Sequence, residues 1–359
     1  MKNIVLTGGP CAGKTTALAV IKECLEERGY KVFIVSESAT ELINKGIRPF
    51  GENAISLYEF QKIIIPYQLK KEAIIRAKAR LFKKSVILYD RGAIDNKSYL
   101  DDVAWNSLLN ETGYDESKLM NRYDMIIHLV TAACGKEEFY TTANNSARSE
   151  DIFSARERDL ATLNAYIGHH NLKVIDNSTD FREKIDRVKN CILSFLGEPT
   201  YYNNISKFIV DLNNSDLDKV KGIGIKSYIE QVYLKSEKNV ERKLRKRMIN
   251  GEISYYLITK TYDNNNERKI CRVISRAEYL YYLTQIDKKK NPIKKIRYSF
   301  KYNNEIYNLD IFADNNYAIL ENETTKELTD LDLPKFLNIV GIENNKEILN
   351  SDVISKKLS

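Results

Sequence analysis

The stretch GGPCAGKTT sets Gly8, Gly9, Gly13, Lys14, Thr15 and Thr16 at the spacing G-x-x-x-x-G-K-[ST]. Residues of these types at this spacing can cradle a polyphosphate. Glycines let consecutive backbone amides turn inward around phosphate oxygens, and a helix N-terminus behind them adds partial positive charge. Lys14 would reach the outer phosphates, and the Thr15 hydroxyl would join the shell of a Mg2+ ion. Asp90 ends the apolar run VILYD and is the expected carboxylate on the metal's other side, with Arg91 directly after it. Glu37 closes VSES and is a candidate base or acceptor for a substrate hydroxyl. Arg148 is expected to close over the γ-phosphate, and Asp176 and Asn177, in VIDNST, are expected near the base. The chemistry implied is binding of GTP or ATP with Mg2+, leading to hydrolysis or phosphoryl transfer.

A second group of charges lies downstream. VERKLRKR holds five cations in the six residues from Arg242 to Arg247. Read at strand period, Glu241, Lys243, Arg245 and Arg247 share one face, and Arg242, Leu244 and Lys246 take the other. The group NGE follows as a hairpin-compatible turn, so Lys260 is expected near Lys243 or Arg245 across the strand pair. Lys295 and Arg297 share a face in IKKIRY. Cations supplied at period two by several strands suit a cavity for a phosphate-rich anion. They fit a nuclear-import tag or a nucleic-acid patch less well, and no aromatic-basic RNA motif accompanies them. Glu321 and Glu323 share a face in LENET and, with Asp310 in NLDIF, could place Mg2+ against such an anion.

The elements that must position these residues alternate in the first half. Strand-like runs at 3–7, 31–36, 85–89, 125–131 and 173–175 are separated by helical periodicity at 15–28, 59–82 and 181–196. Strands separated by helices imply a parallel sheet with helices on both faces, and runs apolar on both sides suit its buried strands. After Leu196 the groups GEPTYYNN and NNSD mark a boundary. We expect a nucleotide-binding domain at 1–200, a linker at 201–220 and an anion-binding domain at 221–359. The last is expected to be a mostly antiparallel β-barrel with one helix near 276–285. His169 and His170 have no acids at metal spacing and are expected on the surface.

Residues 1–200 carry 28 basic and 27 acidic side chains, and residues 201–300 carry 22 and 11, so the net charge of +7 belongs to the second half. The five cysteines are odd in number and lack paired spacing, which argues against a disulfide frame or zinc site. The sequence has no apolar run of membrane-spanning length and opens without a signal-like segment, so a cytoplasmic location is expected, with at most peripheral contact at membranes.

The motif DRG, at Asp90 to Gly92, resembles that of nucleoside and nucleotide kinases, where the arginine touches phosphate or substrate. A small-molecule kinase, with Glu37 or Asp95 placing an acceptor hydroxyl, is therefore an alternative to a slow hydrolase. The first half, through GGPCAGKTT, DRGAID and YDMIIHLVTAACGKEEFYTTANNSAR, looks like the AAA-type P-loop domain that includes ribosylnicotinamide kinases. The second half, through RKLRKR, YLITK, IKKIRY, NLDIF and ILENE, resembles the CYTH-like triphosphate tunnel of thiamine triphosphatases and class IV adenylate cyclases. Joined, they resemble the TRP-like translocation-defect family. That resemblance implies GTP binding by the first domain and binding of acidic phospholipid headgroups by the second. The chain departs from hydrolytic tunnels, which open with E-x-E-x-K: Glu230 is kept, but Val232 and Leu234 replace the second Glu and the Lys. Arg272 also stands where carboxylates occur in those enzymes. Triphosphatase activity is therefore disfavoured relative to binding.

Overall fold

The computed structural model describes residues 1–140, 151–198, 204–263, 266–303, 305–313, 315–324 and 331–342. The chain divides into two units, Met1–Lys189 and Asn190–Ser359.

The first unit is built on five parallel strands in the order β2-β3-β1-β4-β5. They are β1 (Lys2–Thr7), β2 (Lys31–Val35), β3 (Ser85–Asp90), β4 (Met125–Leu129) and β5 (Leu172–Ile175). Their pairing is parallel throughout. The central runs are apolar at consecutive positions because both faces are covered. Val5, Ile87, Tyr89 and Ile126 pack into one core with Phe60, Ile64 and Ile65 of α3 (Leu57–Ala79) and with Trp105 and Leu108 of α4 (Asp102–Thr112). The alternate residues Ile4, Leu6, Val86, Leu88 and Ile127 are buried on the opposite face, where α1 (Lys14–Glu27) packs on β1, β2 and β3. Truncating any one of these to alanine would cost about 2–5 kcal/mol. Helix α3 starts at Ser56, whose hydroxyl accepts from the Glu59 amide. The unit also holds α2 (Ser38–Asn44), a 3₁₀ segment (Ala93–Tyr99), α5 (Glu116–Met120) and α6 (Ile152–Tyr166). Helix α7 (Phe181–Leu196) contains the division point. His169 is buried rather than on the surface: its Nδ1 accepts from the Asn171 amide, its Nε2 faces the Tyr123 carbonyl at 3.1 Å, and its ring packs on His170. A histidine used this way closes a turn.

The second unit is one nine-stranded antiparallel sheet in the order β10-β9-β8-β7-β11-β12-β13-β6-β14. Its strands are β6 (Asn204–Asp211), β7 (Ile225–Leu234), β8 (Val240–Ile249), β9 (Glu252–Asp263), β10 (Asn266–Ile274), β11 (Ile293–Tyr302), β12 (Glu305–Phe312), β13 (Tyr317–Thr324) and β14 (Asn338–Ile342). Asn250 and Gly251 both have positive φ and form the two-residue turn between β8 and β9. The interval expected as a linker instead holds β6 and α8 (Leu217–Ile223). Strand β6 is flanked by β13 and β14, and its Phe208 and Val210 are buried among Phe300, Leu309 and Leu320. The apolar face nearer β8 is covered by α9 (Arg276–Leu283), with Leu234, Leu244, Leu257 and Tyr279 in contact. Strands β10 and β13 are six places apart, about 29 Å in a flat sheet. Yet the Lys269 charge on β10 acts on Glu321 of β13. The sheet is therefore strongly rolled.

Candidate functional site

The loop after β1 has the conformation that phosphate wrapping requires. Gly8, Cys11 and Gly13 have φ of 135°, 54° and 91°. A Cβ on Gly8 would lie 2.0 Å from the Leu129 carbonyl oxygen, so only glycine fits there. Lys14 opens α1 and folds back, its Nζ donating to the Gly8 and Gly9 carbonyls at 2.9 Å. Burial, helped by the nearby Arg91 charge, brings its pKa down to about 8. Thr15 and Thr16 follow and are exposed.

Asp90 ends β3 in register with Leu6, at the carboxyl edge where the loop begins. Its Oδ1 is buried without a hydrogen-bond partner, and burial and the Glu37 charge push its pKa up. Arg91, with φ of 70°, donates from Nε to Glu37 at 2.5 Å and reaches Asp95 at 3.4 Å. Burial opposes ionisation of Glu37, but the Arg91 and Lys14 charges outweigh it and hold the pKa near 2. Asp95 accepts from Thr7 Oγ1, the Gly92 amide and the Tyr166 hydroxyl, so both its oxygens are engaged in fixing the turn. Lys14, Glu37, Asp90 and Arg91 are thus brought into mutual electrostatic reach. Arg148 lies outside the described residues.

The residues expected at the base are engaged by other groups of the protein. Asn177 donates to the Thr131 and Cys134 carbonyls at 2.8 Å and accepts from Lys184 at 2.7 Å. Asp176 is buried and pairs with Arg187 at 2.9 Å. Three supporting residues were not singled out in the sequence. Asp159 of α6 accepts from the Gly9 amide at 2.7 Å and the Thr131 amide at 3.1 Å, and faces the fully buried His128 at 3.2 Å. Lys184 of α7 donates to the Ala12 and Val130 carbonyls, and burial lowers its pKa to about 8. The phosphate loop is therefore pinned from β4, α6 and α7. The missed signal was a polar residue on a buried helical stripe: Ala155, Asp159, Thr162, Leu163 and Tyr166 lie on one face of α6.

A family model described as an AAA domain matches residues 3–184, just over half of the chain. The chain belongs to this AAA-domain family. It is similar to the "Probable thymidylate kinase" of Methanobrevibacter smithii, 24% identical over 195 residues that cover 54% of this chain and 95% of that protein. Among solved structures, the inorganic triphosphatase NE1496 aligns with a TM-score of 0.30 and 18% identity, over 45% of this chain and 97% of that one. The PH1819 protein from Pyrococcus horikoshii OT3 aligns with a TM-score of 0.29 and 16% identity, over 35% and 81%.

Beyond the AAA domain, the sheet of the second unit gathers the downstream cations on one face. Lys243, Arg245 and Arg247 alternate along β8, with Lys295 and Arg297 two strands away on β11. Lys260 pairs in register with Glu241, diagonal to Lys243, and its charge acts on Lys243 as expected. Lys243 pairs with Glu241 at 2.9 Å. Arg245 donates to the Gln231 amide oxygen at 3.1 Å. Arg247 is 5% exposed, and its Nε has no partner. Burial lowers its pKa to about 10; the Tyr256 hydroxyl, its hydrogen-bond partner, opposes this, and the Arg297 and Arg245 charges add to it. Asp310 is held by Lys295 at 2.5 Å and by Arg297 at 2.6 Å, and Arg297 also donates to Glu321 at 2.5 Å. The side chain of Glu323 lies outside the described residues.

Proposed function

We propose that the AAA domain binds a nucleoside triphosphate, GTP or ATP, with Mg2+ and slowly hydrolyses it, while the second unit binds a phosphate-rich anion. The chain would act in the cytoplasm; no helix among the described residues is long and apolar enough to cross a membrane. One observation carries the first part. A glycine loop at the end of a parallel strand holds the buried Lys14, beside a strand-end carboxylate with an unsatisfied oxygen. That oxygen fits a Mg2+ shell completed by the Thr15 hydroxyl, and the ion would neutralise charge between the outer phosphates. Lys14 would exchange its two carbonyl partners for phosphate oxygens. Glu37, near 2, is too weak a base to take a proton at neutral pH, so its part is to aim Arg91.

A second reading, transfer of the phosphoryl group to a small acceptor, is supported by the likeness to a thymidylate kinase. It is also supported by Ser38 Oγ and Gln61 Oε1, buried polar atoms without hydrogen-bond partners, Ser38 following directly on Glu37. GTP rather than ATP, and a phospholipid headgroup rather than a soluble polyphosphate, rest on the resemblance to the TRP-like translocation-defect family. Calorimetry with GTP and ATP on the full chain and on Lys14→Ala tests the core of the proposal. Loss of binding in the variant is expected, and an unchanged affinity would sink it. Nucleotide turnover with and without nucleoside acceptors separates hydrolysis from transfer. Flotation with phosphatidic acid vesicles separates a lipid from a soluble anion.

A further inference from the structure

A rolled sheet that binds polyphosphate through Mg2+ needs carboxylates free to hold the ion. Among the described residues, this sheet does not offer them. Asp310 is already saturated by Lys295 and Arg297, Glu321 by Arg297 with Lys207 at 3.9 Å, and Glu241 by Lys243. Among the described residues, no three His, Cys, Asp or Glu side chains come together as a metal group. The charges of Arg297, Lys295, Lys207 and Lys269 hold Glu321 well below the usual carboxylate range, so it is already neutralised by cations that would repel a metal.

What the face lacks is an anion. Among the described residues, no carboxylate lies within ion-pair distance of Arg245 or Arg247; Arg245 has an amide oxygen, and Arg247 has the Tyr256 hydroxyl and an unsatisfied Nε. A buried guanidinium without a counter-charge is costly and marks the place of an absent partner. Arg245 and Arg247 sit at i and i+2 on β8, and each acts electrostatically on a cation of β11, Arg245 on Lys295 and Arg297 on Arg247. One phosphate satisfies one fork. A cluster this wide calls for an anion with several phosphate groups.

We propose that this face binds its polyphosphate directly through Arg245 and Arg247, with no divalent cation, Lys295 and Arg297 being reserved as a preformed wall by Asp310. The inference rests on the anion-binding reading above. The test uses the full chain carrying Lys14→Ala, which removes the phosphate loop as a competing site, and tripolyphosphate as the probe, titrated by calorimetry in EDTA and in Mg2+. Binding in EDTA is expected, with an affinity within about threefold of that in Mg2+. Arg247→Met and Arg245→Met should each weaken it by at least about tenfold, the loss expected for a charge-assisted fork. Thermal melts confirm that each variant is folded; Arg245→Met serves should Arg247→Met not fold. Binding that appears only with Mg2+ overturns the metal-free assignment and leaves the anion reading standing. Binding in EDTA that both variants retain overturns the role of the arginines. Absence of binding in either buffer removes the anion reading itself.

Discussion

Lys14 carries a pKa near 8 because it is buried beside Arg91, and this gives nucleotide binding a pH signature. Only the ammonium form can pair with phosphate. Below about 8 the free protein already holds that proton; above it, binding must take one up. Affinity for GTP or ATP should therefore fall as pH rises from about 7.5 to 9.5, approaching tenfold per unit. Calorimetry in buffers of different ionisation enthalpy should show nearly one proton taken up at the upper end, and a flat affinity across that window would refute the assignment. On folding the sign is reversed. The folded pKa lies below the value of 10.5 in the unfolded chain, so Lys14 opposes folding in full below about 8, and the penalty shrinks as pH climbs from 8 and is gone only above 10.5. Of the residues in this site, those defined by spacing within one segment were legible in the sequence: Gly8, Gly13, Lys14 and Asp90. Asp176 and Asn177 were legible as strand-end polar residues, but the partners that occupy them, Arg187 and Lys184, come from a following helix and leave no mark at that spacing.

Helix α6 is the element that turns a glycine-rich segment into a fixed cradle. Its Asp159 gathers two backbone amides that would otherwise be buried donors, one from the loop and one from the end of β4. Asp159→Ala should cost about 2–4 kcal/mol, since hydrogen bonds to a charged acceptor are worth about 1.5–3 kcal/mol each before relaxation. The melting temperature should fall by several degrees and nucleotide affinity should weaken as the loop loses this anchor. Scanning fluorimetry with and without GTP checks both effects, and a variant that matches the wild type in each would show that the loop holds its own shape. At this scale the sequence was legible where periodicity was long, as in α1, α3 and β8, and misleading where it was short. NISKFIVD, between two Asn-rich groups, looked like linker because its partners lie more than a hundred residues later.

At the scale of the whole molecule, charge is divided unequally. The near-neutral first unit holds the pinned glycine loop proposed to take phosphate, whereas the second presents several cations on one rolled face. Tripolyphosphate binding by the Lys14→Ala chain should weaken by about tenfold or more between roughly 0.05 and 0.5 M NaCl, because partly solvated cations are screened over a Debye length that shrinks from about 14 to 4 Å. An affinity indifferent to salt would place the ligand elsewhere. The position of β6 bears on how such a chain is made. It is the first strand of its sheet to leave the ribosome and is flanked by the last two, β13 and β14. At about 5–20 residues per second, its Phe208 and Val210 wait on the order of 5–20 s for a neighbour, while β7 to β10 can form hairpins at once. During that interval a nascent chain displays a bare apolar strand with open backbone donors on both edges, the form most apt to pair with another copy. Yield in the cell should thus be governed by chaperone supply and synthesis rate more than by the stability of the finished sheet.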